Sequence, residues 1–252
     1  MTRRRWIADE VSGDTAALLG DHAAHLARVL RAQVGQEFDI AAGDEIRRGT
    51  ITTIAVDRVE FALEKRHYPP ERDRLKSGPN ITLVLAIFKF DRMEWAIEKC
   101  TEIGVARIIP VIARRSDTHL AAAAAKRHER WQRIVRQASE QSRRITPPEI
   151  EVPIKLKTLG DDGVLPSEGL TRIVLAESLV ESAHDTQLGE VLQTHSTGDE
   201  IALAIGPEGG WAEAELTWFY ETGWTAASLG ATILRAETAA IVATAITLEA
   251  LR

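Results

Sequence analysis

The sequence predicts an α/β protein in two parts: a small β-rich N-terminal domain, then a larger domain of strands alternating with helices around a mainly parallel sheet. Three observations carry this. Residues 1–66 break into short apolar runs separated by turn signals. Residues 66–80, RHYPPERDRLKSGPN, are polar and hold three prolines, the signature of a boundary. From Ile81 onward, apolar runs of strand length alternate with stretches of helical period. Domain limits are therefore expected at 1–72 and 81–252, with 73–80 as linker.

The elements follow in order. Residues 38–41, 49–56 and 59–63 read as strands, separated by the Ala42-Gly43-Asp44 and Asp57-Arg58 turns, and this pattern suits a barrel. Residues 21–31 read as a helix with Leu26, Val29 and Leu30 on one face. In the second part, 81–88 is a buried strand. Residues 92–103 are a helix ended by Gly104, and 107–112 a strand. Residues 121–144 read as one long helix closed by Pro147-Pro148, its five alanines favouring helix. Residues 173–176 and 201–205 are strands, 213–221 a helix stopped by Gly223, and 236–251 the last helix. That last helix is apolar nearly all round, so it is expected either deep in the core or packed on a second copy of the chain, and a dimer contact is favoured.

Composition narrows the class. The single cysteine, Cys100, allows no internal disulfide and suits a reducing compartment. No apolar run reaches membrane-spanning length and the N-terminus has no hydrophobic signal core, so a cytoplasmic protein without membrane partners is expected. The net charge of −6 argues against a polyanionic partner until it is resolved along the chain. Residues 1–78 balance at 13 basic and 13 acidic, residues 79–144 carry 13 against 7, and residues 145–252 carry 5 against 17. A basic middle beside an acidic remainder suits an RNA-binding surface. On a continuous helix, Lys126, Arg130, Arg133 and Arg144 fall within about 60° of one another, with Arg136 and Arg143 alongside, opposite Trp131, Ile134, Val135 and Ala138. Arg3, Arg4, Arg5, Arg28 and Arg31 extend this footprint toward the N-terminus.

The chemistry concentrates in two loops. Residues 201–210, IALAIGPEGG, are a buried strand breaking into a glycine-rich turn, a place where α/β sheets bind small ligands. Trp211, Ala212 and Glu213 follow instead of the Gly-Lys-Ser/Thr of a phosphate loop, and Glu208 suits a cationic or hydroxyl-bearing ligand. A second loop begins at Leu229-Gly230 and runs through Ile233 and Leu234 to Arg235, Ala236 and Glu237. Arg235 is the sole Lys or Arg between Ile173 and Leu251, which marks it either as an anion-binding guanidinium or as the partner of a nearby carboxylate. His22 and His25 have no companion ligands, so no metal is expected. Cys100 reads as a core residue. Asp161-Asp162 reads as a turn. There is no Gly-x-Ser-x-Gly elbow and no GxGxxG after the first α/β strand.

Taken in order, IGPEGG at 205–210 and LGATILRAETA at 229–239 strongly resemble the 16S rRNA (uracil-N3)-methyltransferases, of the SPOUT class of knotted methyltransferases. Other matches are His25-Leu26 with Val29-Leu30-Arg31 and Gly35, residues 98–105 (EKCTEIGV), and 130–134 (RWQRI) through Glu140-Gln141-Ser142 to Pro147-Pro148, so the likeness covers the whole chain. The resemblance implies a PUA-like N-terminal β-barrel that helps bind rRNA, a C-terminal trefoil-knot domain and a homodimer. It implies S-adenosyl-L-methionine bent between the two loops, held by Leu175, Ile205, Gly206, Pro207, Glu208, Gly210, Leu229, Gly230, Ile233 and Leu234. It implies 3-methyluridine in small-subunit rRNA as product. Arg235 would steady the uracil anion or the target phosphate. Glu237 is a candidate base beside direct proton loss to water, and Glu208 is either a ligand contact or a turn residue. Arg3, Arg4, His25, Arg28, Arg31, Arg133, Arg143 and Arg144 are the expected RNA contacts. One departure is Thr232, where the family pattern leads one to expect arginine. Competing expectations are a methyltransferase of the same fold acting on tRNA or 23S rRNA, and a non-catalytic RNA-binding assembly factor.

Overall fold

The computed structural model describes residues 4–65, 80–166, 168–176, 186–193 and 200–251. The chain divides into two compact units, one of residues 1–76 with 136–147, the other of 77–135 with 148–252. The expected linker, 73–80, lies outside the described residues except for Asn80.

The first unit is a curled six-stranded sheet. Its strands are β1 (Trp6–Ile7), β2 (Glu10–Ser12), β3 (Thr15–Leu19), β4 (Glu37–Ala42), β5 (Glu45–Ile54) and β6 (Arg58–Leu63). They lie in the order β1-β4-β5-β6-β3-β2, antiparallel throughout except that β1 runs parallel to β4. The two edge strands are separated by only two residues of chain, which span about 7 Å at most for the residues themselves. The sheet must therefore curl until its edges approach. Trp6, Leu18, Leu26, Ile40, Ile51 and Phe61 fill the inside. Gly49 is needed there, because a β-carbon would meet Ile40 Cγ1 at 2.7 Å. The expected 21–31 helix is shorter and wider: α1 (Gly20–Ala24) opens into a π turn, His25–Val29. Leu30 donates to the His25 carbonyl and Ala32 to that of Leu26, so Arg31 turns left-handed at φ 53 and ends it.

The second unit is an α/β sandwich. Its elements are β7 (Asn80–Ala86), α2 (Phe90–Ile103), β8 (Arg107–Ile112), α3 (Thr118–Ala123), α4 (His128–Gln141, which from Arg136 on belongs to the first unit), β9 (Glu149–Ile150), β10 (Ile154–Lys155), β11 (Leu170–Leu175), α5 (Leu188–Leu192), β12 (Glu200–Ile205), α6 (Glu213–Glu221), β13 (Thr225–Ala227) and α7 (Ala236–Ala250). The sheet is wholly parallel, ordered β10-β8-β7-β12-β11-β13, with β9 also on β8. Strand alternation sorts the core. Ile201, Leu203 and Ile205 of β12 face one side with α2 and α7, whereas Ala202 and Ala204 face the other. The small alanine face leaves room for Trp211, Phe219 and Trp224, whose rings meet edge-to-face at about 5 Å.

The single helix expected over 121–144 is not formed. Asp117 caps α3 by accepting from the His119 and Leu120 amides, a tight 3-10 turn at Ala124–Arg127 follows, and α4 starts afresh. Alanine favours helix at each position but offers no packing that would hold one continuous axis, while Ala124 is drawn fully into the core. At the far end, Arg144 donates to Ser139 and Arg143 to Glu140, with Arg143 at φ 63. This is a left-handed cap. Arg143 and Arg144 therefore lie beyond α4 and off its face.

Candidate functional site

In the second unit three neighbouring strands end in one row. Register pairs Val174 with Ala204 and Leu175 with Ala227, so Leu175 stands level with Ile205 on one side and Ala227 on the other. The two glycine loops, after β12 and after β13, thus flank the end of β11 at the carboxyl edge of a parallel sheet, where the topology leaves a ligand crevice.

The first loop is braced from both sides. Inside it, the Trp211 indole Nε1–H donates to the Leu175 carbonyl at 3.1 Å. Outside it, Arg115 Nη1 donates to the Gly209 carbonyl at 2.8 Å. The Arg114 amide donates to Glu215 Oε1 at 2.7 Å, while Glu215 Oε2 accepts from the Ala212 amide at 2.8 Å and caps α6. Ser116 anchors the same brace by donating to the Ile87 carbonyl. An open cavity of about 650 Å³ lies against its outer side, lined by Arg114, Arg115, Ala212, Glu213, Ala214 and Thr217. Pro207 is buried and Glu208 is exposed.

The second loop contrasts with this. Ser228 is fixed, donating to Thr186 and accepting from Leu188. From Leu229 to Leu234 no backbone group bonds to another described residue. Such a run of free N–H and C=O groups is what a ligand can pair with. Gly230 sits at φ 113, reserved for glycine, and a β-carbon there would meet nothing within 4 Å. Ile233 is 77% exposed. Arg235 forms the N-cap of α7, is exposed, and makes no ion pair with a described residue. Glu237, two residues on, is 6% exposed. Arg92 Nη1 donates to its Oε1 at 2.8 Å, and its Oε2 is buried without a partner.

Comparison with known proteins gives this arrangement its family. A profile described as an RNA methyltransferase domain matches residues 76–248, which include both loops and the sandwich from β7 to Leu248 of α7. The chain belongs to this RNA methyltransferase family. A Synechocystis relative named ribosomal RNA small subunit methyltransferase E is 32% identical over 225 residues, 88% of this chain and 68% of its own. A relative of the same name from Rickettsia conorii is 31% identical over 90% of this chain and 87% of its own. A crystal structure of a ribosomal RNA small subunit methyltransferase E from Neisseria gonorrhoeae, bound to S-adenosyl methionine, superposes with a TM-score of 0.81 at 30% identity, covering 96% of this chain and 95% of that one.

Within this family member, the structure brings Leu175, 205–210 and 229–235 to one edge. It separates the expected RNA contacts into groups. Arg3 lies outside the described residues. Arg4 and His25 meet in the first unit: Arg4 lies 4.8 Å over the Trp6 ring, 3.4 Å from His25 Nε2, and pairs with the buried Glu140 at 2.5 Å. Arg28, Arg31 and Arg143 are exposed there, and Arg133 is exposed on α4 in the second unit. Arg144 is half-buried, and that burial lowers its pKa from the usual arginine value. The basic stripe is corrected as well. Arg130 pairs with Glu94 at 2.8 Å and Arg136 with Asp9 at 2.6 Å, so those charges are spent within the molecule. Trp131, Val135 and Ala138 are buried as the helical period requires, joined by Ser139 and Glu140.

Cys100 is fully buried; burial pushes its thiol up to about 12, against a weak bond from Thr244 that lowers it. His22 lies 3.6 Å from Asp9, and among the described residues no three His, Cys, Asp or Glu converge as a metal site. Sequence reasoning missed Arg92, Arg115 and Trp211. Only Glu215 left a signal, as the acidic residue three positions after a helix start.

Proposed function

We propose that the chain transfers a methyl group from S-adenosyl-L-methionine to N3 of a uridine in 16S rRNA of the small ribosomal subunit, working as a cytoplasmic homodimer. The observation that carries this reading is the pair of loops at the carboxyl edge, one held rigid and one with unpaired backbone groups, in a member of the RNA methyltransferase family. The names of the relatives support the rRNA substrate, and the ligand of the Neisseria structure supports the cofactor.

The residues fit such a cofactor. Free amides and carbonyls of Leu229, Gly230 and Leu234 suit a nucleoside's donors and acceptors, with Ile205 and Gly206 opposite. Ile233 supplies apolar surface, and Pro207 and Gly210 shape the rigid wall. Glu208, exposed beside it, suits a ribose hydroxyl or the positive sulfur. The bound cofactor supplies the methyl group already activated as a sulfonium. The protein then aligns N3 and favours the deprotonated ring, which is positioning and electrostatics. Arg235, exposed and without a described carboxylate partner, is the cation for that anion. Glu237 is bound to Arg92, which favours its orienting the start of α7 over acting as the base.

The wider reading follows. The curled sheet of the first unit supports a PUA-like domain over 1–72 that presents Arg28, Arg31 and Arg143 to RNA. The insertion of β12 between β7 and β11 supports a knotted, SPOUT-type second domain over 81–252. The apolar surface of α7, packed on α2 whose Trp95 is 48% exposed, supports the dimer. The experiment is Arg235→Ala assayed on rRNA with purified protein. The turnover falls on the order of a hundredfold, the loss typical of removing one anion-stabilising donor, while cofactor affinity holds. Turnover at the wild-type rate would remove Arg235 from the chemistry.

A further inference from the structure

The Trp211 ring does more than fill the core. Its indole lies against Gly206, the first glycine of the loop: a β-carbon on Gly206 would come within 3.3 Å of Trp211 Cε2 and Nε1. Its Nε1–H reaches across to the Leu175 carbonyl at the end of β11. The far side of the indole meets Phe219 at 4.9 Å, edge-to-face, and the residue is 4% exposed. One rigid side chain thus touches the start of the glycine loop and the strand end that stands between the two loops. It sits at the turn from the loop into α6, so its position and that of 206–210 are coupled through the backbone.

This explains two features of the site. Gly206 has φ in a range open to any residue, so its lack of a side chain serves the close approach of the indole, not a left-handed turn. Leu175, expected as a cofactor contact, has its carbonyl engaged by Trp211, so it shapes the crevice through that bond.

We propose that Trp211 is a positioning residue for the cofactor: its indole pins the IGPEGG wall to the end of β11 and so sets the width of the crevice facing Leu229–Leu234. The inference rests on the cofactor reading above. Loss of this one hydrogen bond with the ring packing kept, as in Trp211→Phe, weakens S-adenosylmethionine binding about fivefold.

The test is calorimetric titration of the intact protein with S-adenosylmethionine and with S-adenosylhomocysteine. If the wild type binds neither, the cofactor reading fails. If the wild type binds and Trp211→Phe binds equally well with an unchanged melting temperature, the positioning role fails. Gly206→Ala supplies the second arm. It weakens binding by pushing on the inner ring of the indole, at Cδ1, Nε1 and Cε2, and because both changes act on this one contact, the losses in the Gly206→Ala, Trp211→Phe double variant fail to add, whereas independent effects would simply add. In wild-type protein, the Trp211 indole N–H resonance is protected from exchange and shifts when S-adenosylhomocysteine is added. An indole signal that ignores the ligand overturns the proposal even where a variant fails to fold.

Discussion

Replacing Arg92 by methionine separates a carboxylate that does chemistry from one that holds a helix in place. Glu237 is 6% exposed, with one oxygen bound to Arg92 and the other buried without a partner, while the Arg92 side chain keeps 32% exposure. The two halves of the pair are therefore unequal. Glu237→Gln leaves a guanidinium that water can reach; Arg92→Met leaves a carboxylate that water cannot. Breaking a fully buried pair costs about 3–5 kcal/mol. With Arg92 one-third exposed, solvent screening brings this to about 2 kcal/mol for Arg92→Met and about 0.5–1 kcal/mol for Glu237→Gln. The double variant costs about 1 kcal/mol, less than Arg92→Met alone, because no unpaired charge remains. Urea unfolding measures all three. A Glu237→Gln cost at or above that of Arg92→Met, or strict additivity, refutes the reasoning. Turnover decides the role: a positioning carboxylate makes both single variants slow alike, whereas a base leaves Arg92→Met active and Glu237→Gln dead.

Two further outcomes come from the first unit. Burial alone would raise the Asp9 carboxyl, but bonds from His22, the Leu19 amide and Arg136 outweigh it and hold it at about 2 against an ordinary 3.8. A depressed carboxyl stabilises the fold above its unfolded pKa and ceases to as pH falls through the folded one. The wild type therefore loses this stability between about pH 4 and pH 2, and the melting temperature of Asp9→Asn is flatter over that window. Arg31 and Arg143 are the only described residues other than glycine with positive φ, both at helix ends where glycine is usual. Arg31→Gly and Arg143→Gly leave stability unchanged or raise it by up to about 1 kcal/mol, yet both weaken rRNA binding in a filter or fluorescence assay, since each removes an exposed cation.

Much of the second unit was legible because its elements are long and punctuated. β8 and α6 run over the residues their apolar period and flanking glycines marked out. β1, β2, β9 and β10 have two or three residues each, less than the span over which a period shows. The basic stripe misled for a related reason: counting charges along 121–144 says nothing of Glu94 on another helix or of Asp9 in the bend between β1 and β2. In the site, both loops announced themselves by glycine after an apolar strand. Their braces did not, since Trp211 is 36 residues from Leu175 and Arg115 is 94 from Gly209.

The first unit is also split in sequence, since 136–147 belongs with 1–76. That segment carries Glu140, which takes Arg4, the Arg5 amide and the Ile7 amide, and Arg136, which takes Asp9 and the Ile7 carbonyl. On a translating ribosome, Arg4 therefore precedes its acceptor by 136 residues, a delay on the order of ten seconds. The curled sheet can close round Trp6 in that interval, but its charged rim stays unmatched until most of the second unit's first helices have been made. Cutting the chain at Lys76 would make the delay permanent. A transplantable form of this unit has to bring the tail of α4 with it.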